Sequence, residues 1–282
     1  MIINVITMGM HHKVKKNMEK SFKKCNISYV FDKNISDTDY IYSPGKYIDP
    51  RKYPNKKFIF GPSFNFSKQY DFKNTTNALY LQPSQQSIDI RKSLGFNDLP
   101  FVAYPVGIDT EEFKPSKCEK NIVFIYYKDR DPNLLIFMKQ MLKEMHIEFV
   151  IITYGKYKEE EYKKILNKSK YGIWIGRQES QGIALQEALS FNVPLLVWNV
   201  SKRGDEYPLP KEKEQVSEMF ATTIPYWDDR CGRVFYNKLD FKNIFNKFLN
   251  ELKEFKPRNF ILEELNLEKQ GYTFAKLYLK IK

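Results

Sequence analysis

At 282 residues the chain is long for a single core and comfortable for two lobes of roughly 100–170 residues each. The formal charge of +12 rests almost wholly on lysine, with only eight arginines among the 46 basic residues. A charge spread that evenly, without a long basic block, does not mark a nucleic-acid reader, which favours the arginine fork. The three cysteines, Cys25, Cys118 and Cys231, lie far apart with no CxxC pair, which excludes a disulfide framework and a cysteine zinc site.

The N-terminus, MIINVITMGMHHK, has no basic leader before its apolar stretch and reads as a first strand, not a signal peptide. Short apolar runs then alternate with amphipathic stretches, the pattern of an α/β protein with mainly parallel sheets. Strands are expected at 2–8, 27–32, 39–43, 57–61, 78–84 and 101–107, with helices at 14–25 and 86–96. The polar stretch DTEEFKPSKCEK, residues 109–120 and broken by Pro115, reads as a linker. The alternation restarts with strands at 121–127, 147–155, 172–176 and 194–200 and helices at 132–145, 158–169 and 181–191. Short strands are expected at 221–227 and 233–237, and helices at 240–255 and 265–281. The expected domains are 1–108, 121–258 and a C-terminal helical piece, 259–282. No apolar run approaches the ~20 residues that cross a bilayer. The reading is therefore a cytoplasmic protein, with peripheral contact with a membrane left open.

The stretch ESQGIALQEA, residues 179–188, carries the most chemistry. Glu179 and Ser180 close a buried strand, and Gly182 stands in the first turn of the next helix. Ligands of open α/β sheets bind at the carboxyl ends of the strands. Free N–H groups at a helix start attract an anion, and glycine allows close approach. Glu187 follows Gly182 by roughly 7–9 Å along the helix axis. Two carboxylates at that separation suit the two sugars flanking the diphosphate of a nucleotide-sugar, since carboxylates accept bonds that vicinal hydroxyls donate.

Pro105, Gly107, Ile108 and Asp109, followed by Phe113 and Pro115, resemble the "PNGVD…F.P" segment of GT-B retaining glycosyltransferases of family 4. Glu179 and Glu187 resemble that family's Glu-x7-Glu motif, and ALYLQPS with its short helix resembles the segment ahead of the linker. The resemblance implies a GT-B fold, two Rossmann-like lobes facing a cleft, and transfer of a sugar from a nucleotide-diphosphate-sugar to a glycan, lipid or protein acceptor. It implies that Glu187 binds the ribose and that Glu179 contacts the donor sugar. The amides around Ser180, Gly182, Ile183 and Ala184 would face the diphosphate, and Tyr154 and Gly155 would lie by the base. No cofactor and no metal is implied, and UDP or GDP is the expected carrier. Where the family has Gly-Arg then Lys-Gly, this chain reads YYKDRDPN, so Lys128 and Arg130 are the candidates to neutralise the leaving group. Gly9, His11 and His12 stand in the loop that the family turns to the acceptor.

Three other readings stay open. Asp129 and Asp131, or Asp37 and Asp39, superficially match the Asp-x-Asp metal motif of GT-A transferases. A non-catalytic nucleotide- or sugar-binding module would fit the irregular phosphate loop. A DNA-modifying glycosyltransferase would use the basic charge, although no stacking or base-flipping motif is present, and nucleic acid is not an expected partner.

Overall fold

A computed structural model describes residues 1–67 and 69–281. The chain divides into two compact units: Met1–Asp109 with Glu264–Lys282, and Thr110–Glu263.

In the first unit six strands, β1 (Ile2–Val5), β2 (Ser28–Phe31), β3 (Tyr40–Ser43), β4 (Lys57–Phe60), β5 (Ala78–Gln82) and β6 (Phe101–Ala103), form one sheet in the order β2-β1-β3-β4-β5-β6. Every pairing is parallel. All five residues of β5 are buried, as expected where both faces of a parallel sheet are covered. On one face Ile3, Val5, Tyr42, Ile59 and Leu81 pack with Met18 and Phe22 of α1 (His12–Lys24). Phe274, Leu277 and Tyr278 join the same cluster from the C-terminal segment, in and just after α8 (Leu267–Leu277). The other face is aromatic, with Phe58, Phe60, Phe64, Phe66 and Tyr80 in mutual contact. A short helix, α2 (Gln85–Ser93), follows β5.

His11 is the N-cap of α1: its Nδ1 accepts from the Lys13 N–H at 3.3 Å, one of the orphan donors of a helix start. Burial lowers the pKa of this imidazole below 6.5, and the neighbouring cations His12 and Lys13 add to the effect. The unfolded chain therefore binds the proton more readily. The cap's contribution to stability is complete above about pH 6.5 and is lost as the pH falls. Two-dimensional NMR should show a His11 midpoint below 6.5. His11→Asn, which caps without titrating, should remove part of the loss of stability between about pH 7 and pH 5. A midpoint above 6.5 would contradict the cap assignment.

The second unit holds β7 (Ile122–Lys128), β8 (Val150–Thr153), β9 (Ser169–Gly176), β10 (Leu195–Trp198) and β11 (Gly232–Phe235), again all parallel, in the order β11-β10-β9-β7-β8. Met138, Met141 and Leu142 of α3 (Pro132–Glu144) and Phe241, Phe245 and Phe248 of α6 (Phe241–Asn250) cover one face, against Ile125, Ile173, Leu196 and Trp198. Two further helices, α4 (Glu159–Asn167) and α5 (Ile183–Ser190), complete the βα repeats. On that side the Tyr126 and Trp174 rings stack at 3.8 Å. Gly172 leaves room for the Phe124 ring, which a Cβ there would meet at 2.2 Å.

Three sequence expectations change. Residues 221–227 form no strand; the segment is threaded instead by the Asn199 Oδ1, which accepts from the Thr223 N–H at 2.7 Å and the Thr222 hydroxyl at 3.0 Å. An additional helix, α7 (Pro257–Glu264), precedes α8. The stretch 110–120 is docked on the second unit, where Phe113 is buried and its carbonyl accepts from Ser190 Oγ at 2.5 Å and Arg258 Nη1 at 3.1 Å.

Candidate functional site

The chain leaves β7 for β8 on one side and reaches β9 on the other, so the sheet of the second unit has its topological switch point between β7 and β9. Ligands of open α/β sheets bind outside the carboxyl ends at such a point. Those ends are Lys128 and Gly176, joined by the Arg177 N–H donating to the Lys128 carbonyl at 2.9 Å. Around them converge Lys128, Glu179 and Tyr154. The Lys128 ammonium donates to Glu179 Oε1 at 2.6 Å and sits 4.2 Å from the Tyr154 ring centroid. Both charged side chains are largely withdrawn from solvent, at 8% and 14% exposure, so the pair is held by geometry and not by a loose surface encounter. Tyr154 follows β8 and is half exposed, and Gly155 turns the chain with φ +75°.

The N-cap residue of α5 places no side chain on the first amides of the helix. Gly182 is the N-cap, in the left-handed region at φ +83°, and supplies no side chain to the first turn. Glu179 is tied nearby, its N–H donating to the Thr222 carbonyl at 3.1 Å. Gln181 and Gln186, both buried, clasp the turn: Gln181 Nε2 donates to Gln186 Oε1 at 2.9 Å, and Gln186 Nε2 to the Gln181 carbonyl at 2.9 Å. Ser180, Ile183 and Ala184 flank the same turn, and the Ala184 carbonyl accepts from the Tyr162 hydroxyl at 2.7 Å. Glu187, 3% exposed, lies about 7.5 Å further along the axis at 1.5 Å per residue. Its negative charge reaches Tyr157 and Tyr162, whose phenols burial, first of all, pushes upward.

Arg130 is placed differently from the diphosphate-facing position expected of it. It is 5% exposed, and its Nη1 donates to the Gly176 and Trp198 carbonyls at 3.0 and 3.2 Å. That makes it a brace between the ends of β9 and β10. Asp131 caps α3 by accepting from the Asn133 N–H at 2.9 Å, and Asp129 lies 3.3 Å from Arg177 Nε without hydrogen-bond alignment. Asp37 accepts from Ser36, and Asp39 pairs with Lys56. No group of three or more His, Cys, Asp or Glu suited to a metal occurs among the described residues. Gly9, His11 and His12 belong to the first unit, where the Gly9 backbone packs on Gly45: a Cβ on Gly45 would meet the Gly9 carbonyl oxygen at 2.2 Å.

Two arginines escaped the sequence reading. Arg177, next after β9, donates Nη1 to Glu206 Oε1 at 2.5 Å. Burial pushes the Glu206 carboxyl up, but Lys213 and Arg177 outweigh it and hold it below its usual value. Arg203, on the loop after β10, is 9% exposed, and its Nε has no partner among the described residues. Burial lowers its pKa from the usual guanidinium value. The only signal in the sequence was Arg177 standing two places before Glu179.

No protein-family model matches the sequence, and no curated protein matches it. Solved structures do. The galactosyltransferase of the lipopolysaccharide outer core, WaaB, in its apo form, aligns over 99% of both chains with TM-score 0.53 at 13% identity. Anabaena HepE, in complex with UDP and glucose, aligns over 99% of this chain and 100% of its own with TM-score 0.54 at 10% identity. TarM aligns over 84% of this chain with TM-score 0.52 at 13% identity, and this chain spans about half of it, 54%. These are GT-B glycosyltransferases. The fold is GT-B. That assignment sets aside the GT-A architecture on which an Asp129–Asp131 metal motif would depend. In GT-B terms the second unit is the Rossmann-like domain that carries the Lys128–Glu179 pair and the open start of α5. No helix among the described residues is long and apolar enough to cross a membrane.

Proposed function

We propose that the protein is a nucleotide-sugar-dependent glycosyltransferase, with the donor held at the carboxyl edge of the second unit. The observation that carries this reading is the Lys128–Glu179 pair beside the uncapped α5 start, at the switch point of a parallel sheet in a GT-B fold. The amides of Ser180 and Gly182 just before α5 and of Ile183 and Ala184 at its start receive the diphosphate, Glu187 the ribose, and Tyr154 and Gly155 the base. Lys128 meets the negative charge that grows on the diphosphate as the sugar–oxygen bond breaks. Charge neutralisation by these groups makes a metal dispensable. Transfer proceeds with retention: the acceptor hydroxyl forms the new bond to the anomeric carbon from the face the diphosphate leaves, and its proton passes to a donor phosphate oxygen. A hexosyl unit carried on UDP or GDP is the donor class. The acceptor is a glycan, lipid or protein.

Calorimetric titration of the wild-type chain and of Glu179→Gln with UDP, GDP and their sugar conjugates, with EDTA present, tests the reading. One base class should bind without metal. Glu179→Gln releases Lys128 from its counter-ion, so diphosphate affinity should be held or tightened while transfer is lost. Binding that needs added Mn²⁺, or transfer retained in Glu179→Gln, would count against it.

A further inference from the structure

The first unit contains a cavity of about 680 Å³ that the donor site does not use. Its wall is built from Ile6 after β1, residues 32–36 after β2 and residues 46–53 after β3. In the order β2-β1-β3 the chain passes from β1 to β2 on one side and takes up β3 on the other. The cavity therefore lies at the carboxyl-edge switch point of this sheet, the place where open α/β sheets bind ligands.

The charges around it do not cancel. Three lysines line it, Lys33, Lys46 and Lys52, together with Asp32 and Asp49. Asp49 accepts from Arg51, whose Nε and Nη2 reach its two oxygens at 2.9 and 2.8 Å, and the same guanidinium is shared with Asp71 through Nη1. Asp32 accepts from the Thr7 N–H at 2.9 Å and the Thr7 hydroxyl at 2.6 Å, so each of its oxygens already holds one neutral donor. The three ammonium groups make no hydrogen bond or ion pair among the described residues. The three lysines outnumber Asp32 and Asp49, so the lining carries a net positive charge that suits an anionic group such as a phosphate monoester. Tyr47, fixed by stacking on Tyr70 at 4.4 Å, gives the cavity an aromatic wall, and apolar walls with a few placed polar groups suit a ligand that is organic as well as charged. The rim is stiff where Lys46 stands, because the preceding Gly45 is pressed against the Gly9 backbone.

We propose that this cavity binds a phosphorylated sugar, and, resting on the transferase reading above, that the acceptor of the reaction carries a phosphate group. Charge complementarity favours a dianion over a singly charged carboxylate, and the exposed ammoniums make the affinity sensitive to salt.

The test is calorimetry on the full chain with saturating UDP already present, titrating glucose 1-phosphate, glucuronate and glucose at low ionic strength. Glucose 1-phosphate should bind, and glucose should give no heat. The variant Lys33→Gln/Lys46→Gln/Lys52→Gln should lose about tenfold or more in affinity for glucose 1-phosphate, the scale of charge-assisted bonds. It should keep the wild-type UDP affinity and melting temperature, because all three side chains are exposed. Equal affinity in wild type and triple variant, or no binding, would overturn the proposal. Glucuronate binding as tightly as glucose 1-phosphate would replace phosphate by carboxylate as the recognised group. If the wild type fails to bind UDP but binds glucose 1-phosphate with the same lysine dependence, the transferase reading falls and the cavity assignment stands.

Discussion

Lys128→Met is expected to lower the rate of sugar transfer by about 10²–10³-fold, the scale for removing one fixed charge that stabilises a developing anion. The end of β7 carries this side chain to the switch point, and 7% exposure means that little water stands in for the lost ammonium. The variant also removes the Lys128–Glu179 ion pair at 2.6 Å. Breaking a buried pair from one side costs about 3–5 kcal/mol, and the partial exposure of Glu179, 14%, puts this case at the lower end. A fall in activity alone could therefore reflect poor folding. The double variant Lys128→Met/Glu179→Gln separates the two effects, because it removes both charges and most of the stability penalty. Its melting temperature should return toward the wild-type value while transfer stays lost. A Lys128→Met enzyme that folds and turns over within tenfold of wild type would refute the role of Lys128 in leaving-group stabilisation.

The features on which that expectation rests were unequally visible in the sequence. Apart from 221–227, the strands of both units read correctly because a parallel sheet covered on both faces leaves long apolar runs, as in ALYLQ of β5 and YGIWIG of β9. The placement of Glu179, Gly182 and Glu187 was legible because spacing along one strand–turn–helix unit sets it. Arg130 was not. Its guanidinium looked available from YYKDRDPN, and only the folded register reveals that it meets the Gly176 and Trp198 carbonyls, 46 and 68 residues away in sequence. Arg177 and Arg203 belong to the same class, since their surroundings are assembled by Glu206 and Lys213 from the loop after β10. Residues 221–227 misled for another reason. Ala-Thr-Thr-Ile has strand composition, but the side chain of Asn199 satisfies the backbone that a neighbouring strand would otherwise have paired. The cavity lysines carried no sequence signal, because lysine is abundant throughout the chain and what sets these three apart is that the fold gathers them around one cavity.

Glu187→Gln should weaken nucleotide binding by about 1–3 kcal/mol, or roughly 5–150-fold, the value of a hydrogen bond to a charged group. The carboxylate is 3% exposed on the inner face of α5, and the nearby Tyr162 hydroxyl is directed to the Ala184 carbonyl. Glutamine keeps the volume, so packing survives, but one acceptor oxygen becomes an NH₂ donor that faces the hydroxyls it should receive. The buried phenols of Tyr157 and Tyr162, raised first of all by burial, are neutral with or without the charge, so losing it does not destabilise them. The chemical group lost can be identified by comparing ligands. A ribose contact is present in uridine and UDP alike, so Glu187→Gln should weaken both by the same factor. Lys128→Met should weaken UDP and leave uridine unchanged, because its partner is the diphosphate. If the Glu187→Gln defect is confined to UDP, the carboxylate acts on the phosphate side by ordering the α5 amides; if neither ligand is affected in a folded variant, Glu187 has no part in donor binding.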